Sequence, residues 1–440
     1  LLVSTGRNII DVVKGFNESQ PPCARLGKLR MCLPGGEAVP GVSKIDVATA
    51  ILIGIFIGGN QDNVPHLELG YDEDTCYEAW KRLRGAKAKP ELVQLRLPEG
   101  FVHLNEACFL HRTFPSKWKE ASDLLTSSLA DSGGPTTQGF LRLVTNLREV
   151  GGVVDAPGDV FALTKALPQL WFVDKFTEVA KFMMQRTLEL PSLFDKGLPL
   201  LRQGDCRIDF LSRSQCASLL AATIFGLIPK QDLGPLGEWG RLPSFNVSGL
   251  VHGCDSTPDV CQPIICVLNY FYELAQVDRK MLDEEYVSFS RKLVSPSLHA
   301  DRRNFWSRAR CPLKSVTFVK DGSIEDDHGS LQADFANKFI GGGALAGGLA
   351  QEEIRFLVCP ECMAGCLFVE KMRDDEAIFI VGAVQYSRYI GYWNDFRFAG
   401  TNPHAFHQHS LDRHNRRDVH LVAFDALSWT KRVKSDQYKE

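Results

Sequence analysis

Two adjacent carboxylates follow a glycine-rich stretch in the last third of the sequence. The run Gly341-Gly342-Gly343 is followed, after seven residues, by Gln351-Glu352-Glu353. Glycines allow positive φ and close approach by a ligand, and the N–H groups of such a loop beside a helix N-terminus suit an anion such as a diphosphate. Acids beside an anion site cost electrostatic energy unless they are used. The segment therefore predicts general acid–base chemistry on a glycosidic bond.

A second interpretation of the two acids stays open at this point. Acidic residues in the first turn of a helix complement its dipole, and Glu352 and Glu353 could serve the helix alone. For catalysis the two side chains would need different roles, because consecutive helical side chains point about 100° apart. One would hold sugar hydroxyls, while the other, with its pKa raised by burial and by its neighbour's charge, would protonate the scissile oxygen. No Gly-Lys-Ser/Thr follows the glycines, and their spacing does not match the dinucleotide-binding fingerprint.

Cysteines and histidines offer two weaker candidates for a metal site. Cys359 and Cys362 form a C-x-x-C pair with Cys366 nearby, but no second Cys or His pair stands at zinc-site spacing. We interpret them as free thiols in a reducing compartment. The histidines between residues 404 and 420 have no Cys or carboxylate partner at a settled spacing, so we interpret that segment as a solvated loop. We predict no metal and no cofactor.

The elements that must position the acids can be read from apolar spacing. It predicts helices over Trp118–Leu129, over Leu163–Leu188 with a break at Pro168, after a capping Ser212, over Ile264–Leu274 and from about Leu349. Short β-branched and aromatic runs predict strands at Val316–Val319, Leu331–Phe335, Ile378–Val381 and His420–Phe424. Strands that alternate with helical patterns beyond residue 310 indicate an α/β sheet. The strand before the glycines and the helix after them would hold the loop between them.

Composition limits the class of protein. The 440 residues carry a net charge of −3, whereas a chain that coats nucleic acid is usually far more basic. The longest apolar run, Val47–Gly59, is too short to span a membrane. We interpret the basic stretch Lys81–Lys89 as a solvated face rather than a nuclear localisation signal. These features predict a soluble, intracellular protein with no membrane partner and no sequence-specific binding to nucleic acid.

The glycine and glutamate segment resembles the signature of the poly(ADP-ribose) glycohydrolase family, which is Gly-Gly-Gly, a short spacer and Gln-Glu-Glu. Asp334-Phe335-Ala336-Asn337 before it and Ile354-Arg355-Phe356 after it also match. Similar segments elsewhere are Gln215–Pro229, Asn269-Tyr270-Phe271, Gln385-Tyr386-Ser387, Tyr389–Tyr392 and Phe424-Asp425-Ala426-Leu427. The resemblance covers about residues 115–440.

The resemblance implies an α/β fold, with a macrodomain-like mixed sheet flanked by helices and preceded by a mostly helical accessory domain. We expect an N-terminal region of unclear role at 1–110, the helical domain at 111–305 and the macrodomain-like catalytic domain at 306–440. The implied activity is hydrolysis of ribose–ribose O-glycosidic bonds in poly(ADP-ribose). The implied partners are this polymer and poly(ADP-ribosyl)ated proteins, met by a monomer in the nucleus or cytoplasm, in the DNA damage response.

The resemblance also implies a role for each site residue. Glu353 would be the acid and then the base, Glu352 would hold ribose hydroxyls, and Asp334 would support the site. The implied substrate contacts are Ile324 and Glu325 at the adenine, Asn337 and Gln351, Tyr392 beside the ADP-ribose, and the loop Gly341, Gly342 and Gly343 at the reacting ribose and its phosphate.

The end of the sequence departs from the family's pattern. The family has a second glycine- and aromatic-rich loop that wraps the diphosphate, C-terminal to the Asp-Ala-Leu strand, but here the sequence ends at Glu440, soon after Leu427. We therefore expect the C-terminal part of the macrodomain to be missing and these 440 residues to turn over polymer weakly or not at all. The alternative function is a macrodomain that binds ADP-ribose without cleaving it. The paired acids favour the enzyme, since a binder does not need them.

Overall fold

We analysed a computed structural model of the chain. It describes residues 110–131, 133–152, 160–195, 197–205, 208–228, 248–252, 261–293, 322–327, 329–403, 405–406 and 408–426. The predictions for the region 1–110, apart from residue 110, and for the strand Val316–Val319 lie outside the described residues.

Helices dominate the described residues before residue 285. They are α1 (Leu110–Thr113), α2 (Pro115–Ala130), α3 (Thr137–Gly151), α4 (Phe161–Ala166), α5 (Phe176–Leu188), α6 (Leu190–Leu193), α7 (Arg213–Ile224), α8 (Ser248–His252), α9 (Gln262–Ala275) and α10 (Arg279–Glu284). One further α-helix, α11 (Gln351–Val358), follows the glycine loop. Each of the four helical segments predicted before residue 280 is confirmed, and the break predicted at Pro168 coincides with the short 3-10 turn Leu167–Gln169.

Five strands of the described residues form one mixed sheet. They are β1 (Ile208–Ser212), β2 (Tyr286–Leu293), β3 (Leu331–Ala336), β4 (Glu376–Val381) and β7 (His420–Asp425), in the spatial order β1-β2-β4-β7-β3. The first three pairings along this order are antiparallel, and β7 pairs with β3 in parallel. The strands predicted around residues 331, 378 and 420 are confirmed. The site strand β3 therefore lies at one end of the sheet.

The sequence analysis did not identify β1 and β2. Every residue of both strands is buried, including the polar and charged ones such as Ser288, Arg291 and Lys292. Alternating burial, which marks a half-exposed strand, is absent here, and the strands lie far apart in sequence within a mostly helical region. The sheet thus begins within the part of the chain predicted to be the helical accessory domain.

Helix α7 joins the helical region to the sheet. Ser212 ends β1 and caps α7, accepting from the Gln215 N–H at 3.2 Å while the Gln215 amide oxygen accepts from the Ser212 N–H at 2.9 Å. All twelve residues of α7 are buried, and α5 packs along it. The helix predicted after Ser212 is confirmed with its cap.

A separate hairpin lies between the helical region and the glycine loop. Its strands are β5 (Ser387–Ile390) and β6 (Arg397–Thr401), and α9 packs against both. The buried Asn269 of α9 donates to the Tyr386 carbonyl at 3.0 Å and to the Ser387 hydroxyl at 3.1 Å. The Tyr386 N–H donates to the carbonyl of Val358, the last residue of α11, at 2.8 Å. The hairpin is therefore tied to both helices at its base.

The histidine segment is not the solvated loop that the sequence predicted. His414 is buried, its ring lies edge-on to Phe210, and its Nδ1 is 3.3 Å from the Arg416 guanidinium. His409 is buried as well, whereas His404 and His407 lie outside the described residues. Cys359, Cys362 and Cys366 are buried, free thiols. Among the described helices, none combines the length and the apolar character that a membrane span requires.

Candidate active site at the glycine loop

The glycine loop needs residues without side chains at two consecutive positions. Gly341 and Gly342 have φ of +85° and +47°, in the left-handed region that side chains disfavour. A Cβ on Gly342 would stand 2.6 Å from a carboxylate oxygen of Glu352 and 2.6 Å from one of Glu353. Both acids therefore converge on the backbone of one glycine.

Glu352 is the buried acid of the pair. One of its carboxylate oxygens accepts from the Gly341 N–H at 2.7 Å and the other from the Asn337 N–H at 2.8 Å. Burial raises its pKa well above the usual range. The charge of Asp334 raises it further, and the two N–H groups oppose the shift. Glu352 thus fastens both ends of the turn that precedes the glycines to α11.

Glu353 is the more accessible acid. It occupies the third position of α11, and its Oε2 reaches back to accept from the Ala350 N–H at 2.9 Å. Its Oε1 accepts from the Gly343 N–H at 3.0 Å. Two backbone N–H groups therefore fix a half-buried carboxylate at the loop, which suits a group that must meet a substrate in one orientation.

Gln351 joins α11 to β3, the outermost of the described strands. Its amide oxygen accepts from the Phe335 N–H at 3.0 Å, and its NH₂ donates to the Ala333 carbonyl at 3.1 Å. On this side of β3 the amide takes the place that a neighbouring strand would have, as far as the described residues show. Both polar groups of Gln351 thus have backbone partners, and its predicted contact with substrate stays a prediction.

A buried charge cluster lies beneath the acids. Asp334 is fully buried on β3, and within the described residues neither of its carboxylate oxygens has a hydrogen-bond partner. Burial raises its pKa to about 7. The Arg355 charge opposes the shift, and the charges of Glu353 and Glu325 add to it. The buried Arg355 Nη1 is 3.8 Å from Glu325 Oε1. Arg355 is thus one cation that faces the carboxyl groups of both Asp334 and Glu325, and in this cluster, as far as it is described, carboxyl groups outnumber cations.

The adenine-side residues of the prediction form one connected group. Ile324 and Glu325 belong to a short 3-10 turn before β3. Tyr389 Oη lies 3.4 Å from Glu325 Oε2 and 3.3 Å from Tyr392 Oη. Burial, followed by the charge of Glu325, raises the pKa of Tyr389. The half-exposed Tyr392 ring is thereby linked to the charge cluster.

The structure brings the predicted site residues to one place. The two glutamates bond directly to the backbone of the loop glycines, and Gln351 precedes them on α11. Arg355 and Tyr389 link Asp334, Glu325 and Tyr392 to one another. Asn337 is exposed and bonds Glu352 by its backbone, while its amide oxygen accepts from the Phe339 N–H at 3.0 Å. Their functional roles stay predictions, since geometry alone does not test them.

The sequence analysis missed Arg355 and Tyr389 as members of the site. Both have a signal in the sequence. Arg355 lies four residues after Gln351, on the same face of α11. Tyr389 precedes Tyr392 by three residues at the end of a strand. Among the described residues no cluster of three or more His, Cys, Asp or Glu could hold a metal ion.

The buried Asp334 predicts that stability falls as the pH rises. Its pKa is raised in the folded protein to about 7 from an ordinary value of 3.8. The folded state therefore keeps a proton that the unfolded chain has lost. The contribution of this proton to the free energy of unfolding is on the order of 4 kcal/mol. It is fully present below about pH 4 and is lost as the pH rises through 7. In Asp334→Asn we expect the fall in unfolding temperature between pH 4 and 8 to shrink, although Glu352 still contributes in the same direction.

Thermal unfolding followed by circular dichroism across this pH range measures the effect. The matched control is Asp123→Asn, which changes an exposed carboxylate on α2, and its curve should run parallel to that of the wild type. A curve for Asp334→Asn that is also parallel to the wild type would show that ionisation of Asp334 does not lower the stability of the folded protein.

Two family models match the chain. One, described as poly(ADP-ribose) glycohydrolase, helical domain, matches residues 173–291. The other, described as poly(ADP-ribose) glycohydrolase, macro domain fold, matches residues 303–440. The first match contains α7, α9, the strand β1 and most of β2, and the second contains the glycine loop and the acids.

Curated relatives are similar over a little more than half of the chain. Poly(ADP-ribose) glycohydrolase 1 of Arabidopsis thaliana is 34% identical over 273 residues, which are 58% of this chain and 47% of the relative. Probable poly(ADP-ribose) glycohydrolase 2 of the same plant is 31% identical over 57% of this chain and 50% of the relative. Poly(ADP-ribose) glycohydrolase 1 of Caenorhabditis elegans is 31% identical over 58% and 30%. The matches span half or less of the length of these relatives.

Proposed function

The chain belongs to the poly(ADP-ribose) glycohydrolase family, and from this premise we propose that it hydrolyses the ribose–ribose O-glycosidic bonds of poly(ADP-ribose) and releases ADP-ribose. The observation that carries the proposal is the fixed, half-buried carboxylate of Glu353 beside a backbone loop that a ligand can approach closely. A second, buried carboxyl group next to it supports the loop rather than competing for the same position.

In this proposal Glu353 acts twice. It donates its proton to the leaving ribose oxygen as the bond to the anomeric carbon breaks. It then takes a proton from the water molecule whose oxygen bonds to that carbon, so that the acid is restored. Its two hydrogen bonds to the Gly343 and Ala350 N–H groups keep the carboxyl group in one orientation through both steps. The Glu353 side chain thus alternates between its neutral carboxylic acid and its carboxylate, and the cycle ends with the acid restored.

The remaining residues hold the substrate and the loop. Glu352 can contact ribose hydroxyls only through lone pairs not used by the Asn337 and Gly341 N–H groups. Asp334 supports α11 through the charge of Arg355. The predicted substrate contacts at Ile324, Glu325, Asn337, Gln351, Tyr392 and the three loop glycines are part of the proposal.

Digestion of purified poly(ADP-ribose) tests the proposal. The wild-type protein should shorten the polymer on a gel and release ADP-ribose, detected by chromatography. A high protein concentration and a long incubation ensure that a slow reaction is detected. Polymer that stays at full length while free ADP-ribose binds the protein would contradict the glycohydrolase proposal.

One observation favours a second function, that of a binder that does not cleave. All four carboxylate oxygens of Glu352 and Glu353 accept from backbone N–H groups, so both acids could serve only to shape the loop. In that case binding of polymer without shortening is the expected outcome of the same digestion. The half-buried position of Glu353 favours the enzyme, since a substrate can reach this side chain more readily than that of the buried Glu352.

Gly342 should be essential to the proposed activity. An added methyl group would meet both acids at 2.6 Å, and the backbone there has positive φ. We expect Gly342→Ala to lower the unfolding free energy by about 1–2 kcal/mol and to lower polymer turnover by at least about tenfold, since a 1 Å displacement of a catalytic group can cost more.

The matched control is Gly133→Ala, where a methyl group would meet no atom within 4 Å. Denaturant unfolding and ADP-ribose release should leave this control close to the wild type. Equal behaviour of the two variants would show that the acids tolerate displacement, and the site geometry described above would then not matter for turnover.

Partners and location are further parts of the proposal. We propose that the protein acts on poly(ADP-ribosyl)ated proteins as a monomer, in the nucleus or cytoplasm, during the response to DNA damage, without binding nucleic acid by sequence. Its net charge of −3 supports the last point. Sedimentation of the purified protein and fractionation of cells before and after DNA damage test these points separately.

A further inference from the structure

Trp393 is the most exposed large apolar side chain in the described part of the chain. Its side chain is 64% exposed, and its neighbours Ile390 and Tyr392 are 61% and 45% exposed. A tryptophan in water leaves a large apolar surface unburied, and a cluster of such side chains marks a contact surface. The three residues together form an apolar ledge at the tip of the β5–β6 hairpin.

The backbone holds the Trp393 ring outward. Trp393 has φ of +55°, a conformation that is an outlier for a bulky residue. Its N–H donates to the Leu349 carbonyl at 3.0 Å, and its carbonyl accepts from the Phe396 N–H at 3.2 Å. The turn that carries the exposed ring is thus anchored by two backbone hydrogen bonds.

A single peptide group connects this turn to the proposed catalytic acid. The Leu349 carbonyl that accepts from Trp393 belongs to the same peptide as the Ala350 N–H, which donates to Glu353 Oε2 at 2.9 Å. That peptide is planar and rigid. Trp393 is therefore connected, through this one peptide group, to the carboxyl group that would protonate the scissile oxygen.

The chemistry of the polymer identifies what the ring would meet. This step rests on the proposed function. In poly(ADP-ribose) the leaving oxygen is a hydroxyl of an adenosine ribose, so an adenine is attached to the sugar that departs. The group formed by Glu325, Tyr389 and Tyr392 can take only one of the two adenines that flank the scissile bond. The other adenine must lie outside this group, on the leaving side of the bond that Glu353 would protonate.

We propose that Trp393 is a stacking platform for the adenine on the leaving side of the scissile bond. Stacking of a base on an exposed aromatic ring needs no hydrogen bonds and suits a repeating nucleotide polymer. The platform discriminates between polymer, which carries a second adenine, and ADP-ribose, which carries only one. Trp393 is thus a determinant of specificity for polymer over its product.

Binding of two ligands to the same variants tests the inference. The ligands are ADP-ribose and a purified short poly(ADP-ribose) of defined length. We expect Trp393→Ala to bind the short polymer about tenfold more weakly and to bind ADP-ribose as the wild type does. Trp393→Phe, which keeps a stacking ring, should recover most of the polymer affinity.

The control variant is Phe114→Ala, which removes an aromatic ring 48% exposed just before α2 and should bind both ligands normally. Unchanged polymer affinity in Trp393→Ala would overturn the inference. An equal loss for both ligands would overturn it too, by placing the ring in the ADP-ribose site. Normal polymer affinity with altered sedimentation would instead make the ledge a protein interface.

Failure of the proposed function has a different signature. If the wild type binds the short polymer through Trp393 yet releases no ADP-ribose, the glycohydrolase proposal fails and the stacking platform stands. If the wild type cleaves polymer and Trp393→Ala shows the same KM, the platform fails and the glycohydrolase proposal stands.

Discussion

Glu353→Gln is expected to lower the turnover of poly(ADP-ribose) by about 10²–10⁴-fold, the range for loss of a general acid–base group. The substitution keeps the length and shape of the side chain, removes its ability to give and take the proton, and replaces one accepting oxygen by an NH₂ group. The glutamine oxygen can still accept from one of the two N–H groups that hold Glu353, at Gly343 or Ala350. We therefore expect the affinity for ADP-ribose to stay close to that of the wild type.

The measurement is the initial rate of ADP-ribose release together with the dissociation constant of ADP-ribose. Glu178→Gln is the matched control, because Glu178 lies in the first turn of α5 as Glu353 does in α11, but is exposed and far from the loop in sequence. It should release ADP-ribose at the wild-type rate. A rate for Glu353→Gln within about a factor of ten of the wild type would remove Glu353 from the general acid role.

Arg213→Met is expected to lower the free energy of unfolding by about 3–5 kcal/mol, the cost of breaking a buried ion pair from one side. The guanidinium is fully buried at the start of α7. It donates to Glu361 at 2.5 Å, to Glu285 at 3.1 Å and to the Gly382 carbonyl at 3.1 Å. Without it, two carboxylates would remain in the interior with less compensation.

The position of this cluster gives the loss a consequence for the site. Glu361 belongs to the 3-10 turn Pro360–Leu367, which follows α11 directly, and it also accepts from the Tyr386 hydroxyl at 2.7 Å. Tyr386 leads into the β5–β6 hairpin, and its N–H is bonded to the end of α11. Arg213 therefore fastens the helical region to the helix that carries Glu353 and to the hairpin that carries Tyr392.

Denaturant unfolding of four variants, namely Arg213→Met, Glu361→Gln, their double variant and a control, measures the contribution of Arg213. Arg279→Met is the control, because Arg279 also pairs with a glutamate, Glu189, but is 52% exposed, where such a pair is worth about 0–1 kcal/mol. The double variant Arg213→Met, Glu361→Gln should lose less than the sum of its single variants, because it removes both members of a pair. A loss for Arg213→Met no larger than that for Arg279→Met would contradict the account.

Much of the fold could be predicted because its signals are local. The run Leu331–Phe335 is a strand that leads into three glycines, and the acids follow on a helix that begins at Gln351, two residues after the predicted start at Leu349. Ser212 and Gln215 form the helix cap that their types and spacing indicate. Each of these features rests on a few neighbouring residues, so a single sequence contains enough information to find them.

The parts that could not be predicted depend on contacts between distant residues. β1 and β2 are buried on both faces and lack alternation, and their pairing with each other and with β4 is not visible in their own residues. His414 was predicted to be solvated because it falls in a loop between predicted strands, yet it lies between Phe210 and Arg416. The role of Gln351 as a bridge to β3 depends on where the sheet ends.

The central claim is that the Glu353 carboxyl group cleaves the ribose–ribose bond of poly(ADP-ribose). It is tested most directly by the identity and amount of the product that the wild type and Glu353→Gln release from the same purified polymer, measured by mass spectrometry at equal protein concentration. The account predicts ADP-ribose with its diphosphate intact from the wild type, and at least about a hundredfold less from the variant. Equal release by both proteins, a product cleaved at the diphosphate, or bound polymer that is never shortened would contradict it.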